Sequence, residues 1–291
     1  MKRIQPILFL IAITISSVFS NEILTHIPGT NVEMDLSEFQ WHKFSNSFYT
    51  DDYSCIMTTL YERIDLNQCI KKRKEELIPS EHFIIDEEHA LTEWKYLLVF
   101  HFDIMTNTKY YVLFVGNNNE TTVLKAEIKT DIASKEKIEK IIAAFNGCKL
   151  YTGDLDVKKA MFYDIALPDY YNFIESNNNF FRFRKIAQQS SDVEVTFRGF
   201  LYNEKMKLQD YLILPNSKDE IVQESKKISM PVHNHEAWLV ITRDSNIRTR
   251  YKYAVLYKKY VLVIIATISG ETDSVTENEL SAIIKSIRFT I

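Results

Sequence analysis

Tyr251–Ile291 reads YKYAVLYKKYVLVIIATISGETDSVTENELSAIIKSIRFTI, and the way this stretch divides decides what fold is expected of the whole chain. Tyr251–Tyr257 is rich in aromatic and β-branched residues, Lys258-Lys259 supplies a two-residue turn, and Tyr260–Ile268 is a second apolar run, so the spacing predicts a β-hairpin. After the polar connector Ser269–Ser274, Thr276 and Glu279 stand three apart as a capping box, the hydroxyl accepting from a free backbone N–H while the carboxylate reaches back. Leu280, Ile283, Ile284 and Ile287 then fall at i, i+3, i+4 and i+7, the apolar stripe of an amphipathic helix laid on a sheet.

The same plan occurs once before. Ser134 stands where Thr276 stands, and Ile138, Ile141, Ile142 and Phe145 match the four later apolar positions at one constant offset. Tyr110–Val115 and Thr122–Thr130 make the preceding hairpin around Gly116–Asn119, and Gly147 is expected to stop the helix with a positive φ. Two similar units a domain length apart point to duplication. The boundaries follow: a leader over residues 1–20, one domain over 21–152 and a second over 153–291, joined at Tyr151-Thr152-Gly153-Asp154. The copies differ in one strand. Leu124, Ala126 and Ile128 alternate with Lys125, Glu127 and Lys129, predicting one wet face, whereas Val261–Ala266 is apolar throughout and predicts cover on both faces.

Other elements are weaker in pattern. Phe39–Tyr49 and Ser54–Tyr61 read as strands, Leu66–Ile78 as a helix whose Lys71-Lys72-Arg73-Lys74 run forms a solvated face, and Val193–Tyr202 as a strand with Gly199 marking a bulge. Ser217 with Glu220 matches a capping box and predicts a helix through about Lys227.

With these elements in place, the chain resembles tandem copies of the PsbP-like α/β/α sandwich. The residues that carry the resemblance are Ile27-Pro28-Gly29-Thr30 with the two strands after it, then the hairpin-plus-helix endings IEKIIAAF (Ile138–Phe145) and LSAIIKSIRF (Leu280–Phe289). The resemblance implies an α+β fold of two similar domains, each a curved antiparallel sheet flanked by helices. It also implies a role in binding proteins or aiding assembly. It carries no catalytic motif over.

Residues Met1–Ser20 read as a signal peptide: Lys2 and Arg3 are the basic start, Ile7–Ile15 the apolar run, and Val18-Phe19-Ser20 the cleavage site. An exported chain, periplasmic or extracellular, is the expectation. No later segment reaches the ~20 uncharged residues a membrane span requires. Loss of Lys2 and Arg3 moves the formal net charge from −4 to −6, a poor match to nucleic acid. In an oxidising compartment Cys55, Cys69 and Cys148 are expected to give one disulfide and one thiol, with all three pairings open and three reduced cysteines as the alternative.

His233-Asn234-His235-Glu236 is the one cluster with ligand-like density. On a strand, His233 and His235 point the same way and could hold zinc or copper, though the sequence offers no evident third donor. Six scattered glycines exclude a phosphate-cradling loop or dinucleotide fingerprint, so no cofactor is expected. Neither G-x-S-x-G nor H-E-x-x-H occurs. The leading expectation is a non-enzymatic binding or assembly protein acting on another protein. The alternatives are a metal-binding protein or enzyme using His233 and His235, and a small-molecule sensor with a cleft between the domains.

Overall fold

The computed structural model describes residues 24–77, 82–185, 192–212, 220–229, 236–244, 248–270 and 274–291. The leader read over Met1–Ser20 and the His233/His235 pair lie outside these residues.

In the first half β1 (Leu24–His26) and β2 (Val32–Asp35) precede the hairpin β3 (Gln40–His42) and β4 (Ser47–Tyr49). Strand β5 (Cys55–Glu62), helix α1 (Leu66–Leu77), strands β6 (Phe83–Thr92), β7 (Lys95–Phe102), β8 (Thr108–Gly116) and β9 (Thr121–Lys129), helix α2 (Lys135–Gly147) and β10 (Lys149–Leu150) follow. The second half contains α3 (Val157–Ala160), β11 (Tyr163–Asp164), β12 (Tyr171–Asn177), β13 (Phe180–Lys185), β14 (Asp192–Leu201) and a 3-10 helix (Leu208–Leu212). It closes with β15 (Ile221–Ser229), β16 (Glu236–Arg243), β17 (Arg248–Tyr257), β18 (Tyr260–Ser269), α4 (Ser274–Lys285) and β19 (Arg288–Phe289).

The expectation of two α/β/α sandwiches is overturned. The strands form one antiparallel sheet of 14, in the order β15-β16-β17-β18-β14-β13-β12-β5-β9-β8-β7-β6, with β4 also on β5 and β3 on β4. With 51% of the described residues in strands and 19% in helices, it is mostly β, not a sheet walled by helices on both sides. The physical cause is β12. Its residues Glu175, Ser176 and Asn177 pair with Glu62, Tyr61 and Leu60 of β5, while β4 takes the other end of that strand at Ile56–Thr58. A strand edge left open exposes a row of unpaired N–H and C=O groups, and here the second half satisfies the edge of the first.

Inside that sheet the order repeats: β4-β5-β9-β8-β7-β6 in one half, β13-β14-β18-β17-β16-β15 in the other. The short strand after each long helix also pairs backwards in both halves, β10 with β2 and β19 with β11. The apolar stripes read from the sequence meet the same face of the sheet. Ile141 and Phe145 of α2 pack with Leu124, Ala126 and Ile128 of β9, and Leu280, Ile283, Ile284 and Ile287 pack with Ile264, Ala266 and Ile268 of β18. On the opposite face α1 covers Leu98, Phe100, Tyr110, Val112 and Phe114. The 3-10 helix covers Val240, Ala254, Val261 and Val263. Burial on both faces accounts for the unbroken apolar run of β18.

Several local expectations are corrected. Ile221–Ser229 is a strand, not the continuation of a helix, because pairing with β16 along its length outweighs a local capping signature. Gly147 ends α2 without a positive φ, which among the described glycines belongs to Gly29 and Gly270. Gly199 marks no bulge: β14 runs in unbroken register with β18. It provides space instead, since a Cβ there would lie 2.6 Å from Phe162 Cε1 and 3.2 Å from Phe44 Cε2. Cys55, Cys69 and Cys148 are all free and buried. The expected disulfide is absent, with Cys69 in the α1 core and the other two in the α2 core on the opposite face.

Candidate functional site

The sequence QWHKFSNSFYTDDYS (Gln40–Ser54) reads as ordinary strand with a polar turn, yet it builds the most exposed aromatic surface of the first half. Its tip is anchored elsewhere. Phe44 is buried in the second-half core, its ring centroid 4.9 Å from Phe162 and 4.6 Å from Tyr260. Asn46, buried and left-handed at φ 43°, accepts from Trp41 Nε1 at 3.2 Å and donates to Thr59 Oγ1 at 3.4 Å. Those bonds fix the Trp41 ring, which stacks on Phe48 at 6.3 Å and stays 39% exposed.

The turn after β4 holds a second ring outward. Asp52 accepts from Thr50 Oγ1 at 2.8 Å and from Ser54 N and Oγ at 3.0 and 2.7 Å. Tyr53 is thereby held at φ 55° with 65% of its surface exposed, a conformation that costs a non-glycine residue ~1–3 kcal/mol. Tyr53 packs against Tyr49 at 5.9 Å, and Tyr49 against His42 at 6.0 Å. Gln40, Trp41, His42, Tyr49, Thr50 and Tyr53 enclose a concavity of 310 Å³. Among the described strands β3 pairs with β4 alone, leaving its outer backbone edge open to them, and all three of its residues are exposed.

The rim is acidic. Lys137 of α2 reaches Asp51 at 2.6 Å and Asp52 at 2.9 Å, and hydrogen bonds from Lys137, then from Ser54 and Thr50, hold the Asp52 carboxyl far below the usual carboxylate range. Two carboxylates share one ammonium.

Elsewhere the charges are structural. Lys72 and Arg73 of the basic run reach the buried Glu62 at 2.7 and 2.5 Å, and Lys74 pairs with Glu88, so three of its four cations tie α1 to the sheet. In the second half Glu220 faces Arg250 and Lys252, and Asp244 lies 2.9 Å from Arg248 and 3.1 Å from Arg250, all on the face of the 3-10 helix. A cleft of 540 Å³ lies between residues 154–169 and β12–β13, floored by Met161, Ile165, Tyr171 and Phe183. Its lining comes from the second half alone, so it is no cleft between halves.

Among the described residues the displaced carboxylates share one direction. Every carboxylate whose ionisation is displaced is held lower, as a fixed anion: Asp51, Asp52, Asp86, Glu88, Asp156, Asp244 and Glu279. Burial pushes the Cys55 and Cys69 thiols up to about 12 and Cys148 up to about 11, the opposite of an activated nucleophile. No three His, Cys, Asp or Glu side chains among these residues group to hold a metal. Beside the undescribed His233 and His235, Glu236 forms an ion pair with Lys227 at 3.2 Å. No described helix is long and apolar enough to cross a membrane.

No protein-family model matches the chain, and no curated protein matches it. Among solved structures it is similar to the apo structure of immunity protein TplEi of T6SS from Pseudomonas aeruginosa, at 12% identity and a TM-score of 0.36 over 88% of this chain and 98% of that one. It is similar also to the Tle4-Tli4 complex, at 11% identity and 0.34 over 88% and 99%. Likeness at this level assigns neither fold nor function.

Sequence reading missed the hairpin site because Phe39–Tyr49 looked like one strand. The available signal was the run of aromatics among short polar residues, with Asn46 at the turn.

Proposed function

We propose that this chain is an exported, non-enzymatic binding protein that engages another protein through the aromatic face of β3, β4 and the turn to β5. The observation that carries the reading is Tyr53, held in a strained conformation with its ring in solvent beside the exposed Trp41. Exposing large rings in a braced geometry forgoes the burial that stabilises a fold. Trp and Tyr held rigid are also the residue types that dominate protein–protein hot spots. The open edge of β3 offers backbone groups to an incoming strand, and the acidic rim around Asp51 and Asp52 favours a partner with basic residues. Export is supported by Lys2, Arg3 and the apolar run behind them.

The test is affinity capture from the native compartment with the full chain and with a Trp41→Ala/Tyr53→Ala variant. A protein retained by the first and lost by the second is the expected result. An empty capture, or equal retention by both, overturns the reading. N-terminal sequencing of the native protein is expected to begin at Asn21; a chain still starting at Met1 removes export from the proposal.

A further inference from the structure

The concavity of 310 Å³ beside β3 has neither a carboxylate nor an ammonium group in its lining. Strand pairing arranges its walls. Gln40 stands opposite Tyr49 and His42 opposite Ser47, so Gln40, His42 and Tyr49 project from one face of the hairpin. Tyr53, on the turn after β4, extends the row. The Tyr49 ring lies 6.0 Å from His42 at 85° and 5.9 Å from Tyr53 at 60°, so the three rings meet at steep angles and present an angled wall, not a flat stack.

Much of the polar capacity of this lining is already used. The Tyr49 hydroxyl accepts from Ser47 Oγ at 3.0 Å, and His42 Nδ1 lies 2.9 Å from Ser45 Oγ. Thr50 Oγ1 donates to Asp52 at 2.8 Å and accepts from the Cys55 N–H at 3.0 Å. Among the described residues, what is left to a ligand is ring surface, with the Gln40 amide, His42 Nε2 and the Tyr53 hydroxyl beside it. A lysine ammonium or arginine guanidinium seated here would bring several N–H donors to few acceptors, and a donor shut away from water without a partner is costly. A quaternary ammonium brings charge without donors, and aromatic faces attract it.

The surrounding charge selects a cation over a neutral ligand of the same shape. Lys137 lies 2.6 Å from Asp51 and 2.9 Å from Asp52, and Lys140 lies 3.2 Å from Glu38 and 3.4 Å from Glu136. Four carboxylates there stand against two ammonium groups. Hydrogen bonds from Lys137 hold both aspartates below the ordinary carboxylate range and so keep them ionised. Lys43, at the hairpin tip, donates to Thr290 Oγ1 at 3.1 Å. A space of ~150 Å³ holds a benzene-sized group, and a trimethylammonium head is no larger, so the concavity seats one with room for a short substituent.

We propose that this concavity binds a trimethylammonium group, of the kind choline carries, with its methyl groups against the rings of His42, Tyr49 and Tyr53. The inference does not rest on the protein-partner reading of the same face, and the two fail separately. Capture needs a partner from the native compartment, whereas the cation is tested on purified protein alone.

The test is calorimetric titration of the full chain with choline and with its neutral isostere dimethylbutanol, in which a tert-butyl group replaces the trimethylammonium. Choline is expected to bind about tenfold more tightly than the isostere. Tyr53→Leu, which keeps an apolar side chain and removes the ring, is expected to weaken choline binding about tenfold, and Tyr53→Phe to retain it. Tyr53 is exposed, so both variants are expected to melt with the wild type. Flotation with phosphatidylcholine vesicles, against phosphatidylglycerol vesicles as the control, separates the sources. Retention on phosphatidylcholine alone assigns the group to a lipid headgroup, and choline binding without retention assigns it to a free small cation. No binding of choline at ~100 mM, equal affinity for the isostere, or a Tyr53→Leu variant that binds choline like the wild type overturns the proposal.

Discussion

Gly199 shows how little slack single positions have in this molecule. A methyl group there would press on the buried rings of Phe162 and Phe44, and interiors packed to crystal density absorb such an insertion poorly. Gly199→Ala is expected to destabilise the fold by ~1–3 kcal/mol, read as a lowered urea midpoint at unchanged slope. The cysteines make a complementary case. A thiol whose pKa lies at about 11 has on the order of one thousandth of its population as thiolate at pH 8. Native protein is therefore expected to react with a thiol reagent only in denaturant, releasing three equivalents together; prompt labelling of any one in native buffer would contradict its burial. The disulfide inferred from compartment failed because chain spacing carries no information about which face of a sheet a cysteine occupies.

Helix α4 is held by its polar flank as well as its apolar stripe. Burial pushes the Glu279 carboxyl up, but hydrogen bonds from Tyr171, Lys185 and Tyr170 outweigh it and leave the group below its ordinary value. A depressed carboxyl contributes stability that is fully present above the unfolded-state pKa and is lost as pH falls through the folded one. The urea midpoint of the wild type is thus expected to fall as pH drops below the unfolded value of 4.5, and to fall less in Glu279→Gln; equal acid sensitivity would remove the tether. Glu279 was read from the sequence as a capping-box partner, and the structure turns it to Lys185 of β13, to Tyr171 at the start of β12 and to Tyr170 before it. The stripes of α2 and α4 were legible because a helix buries one face at a spacing fixed by its own geometry. Strand β15 was not: Ile221 and Val222 are exposed on an edge, Gln223–Lys227 is a polar run with no apolar alternation, and the local Ser217/Glu220 pattern pointed to a helix. Glu220 itself faces Arg250 and Lys252. Glu220→Ala is expected to cost ~1–3 kcal/mol by removing one carboxylate that Arg250 and Lys252 share, measured by chemical denaturation.

The halves are joined by more than a linker. Beside the β5–β12 pairing, Tyr61 stacks on Phe173 at 5.2 Å and 11°, the Arg63 N–H donates to Ile174 at 3.2 Å, and Phe44 and Tyr61 both belong to the second-half core. Phe44→Ala is expected to cost ~3–5 kcal/mol and to weaken the second half although the residue lies in the first. Far-ultraviolet and near-ultraviolet signals of the wild type should fall in one coincident transition; two separated transitions would show that the joint does not couple the halves. Residue order alone determined the two long helices with their apolar stripes and the inward faces of the central strands, because those depend on spacings within one element. Only the tertiary structure decided that both units share one sheet and that a braced aromatic hairpin faces solvent. Those outcomes depend on which unsatisfied strand edge meets which, and on the space beside Gly199, and neither is a property of a local stretch of chain.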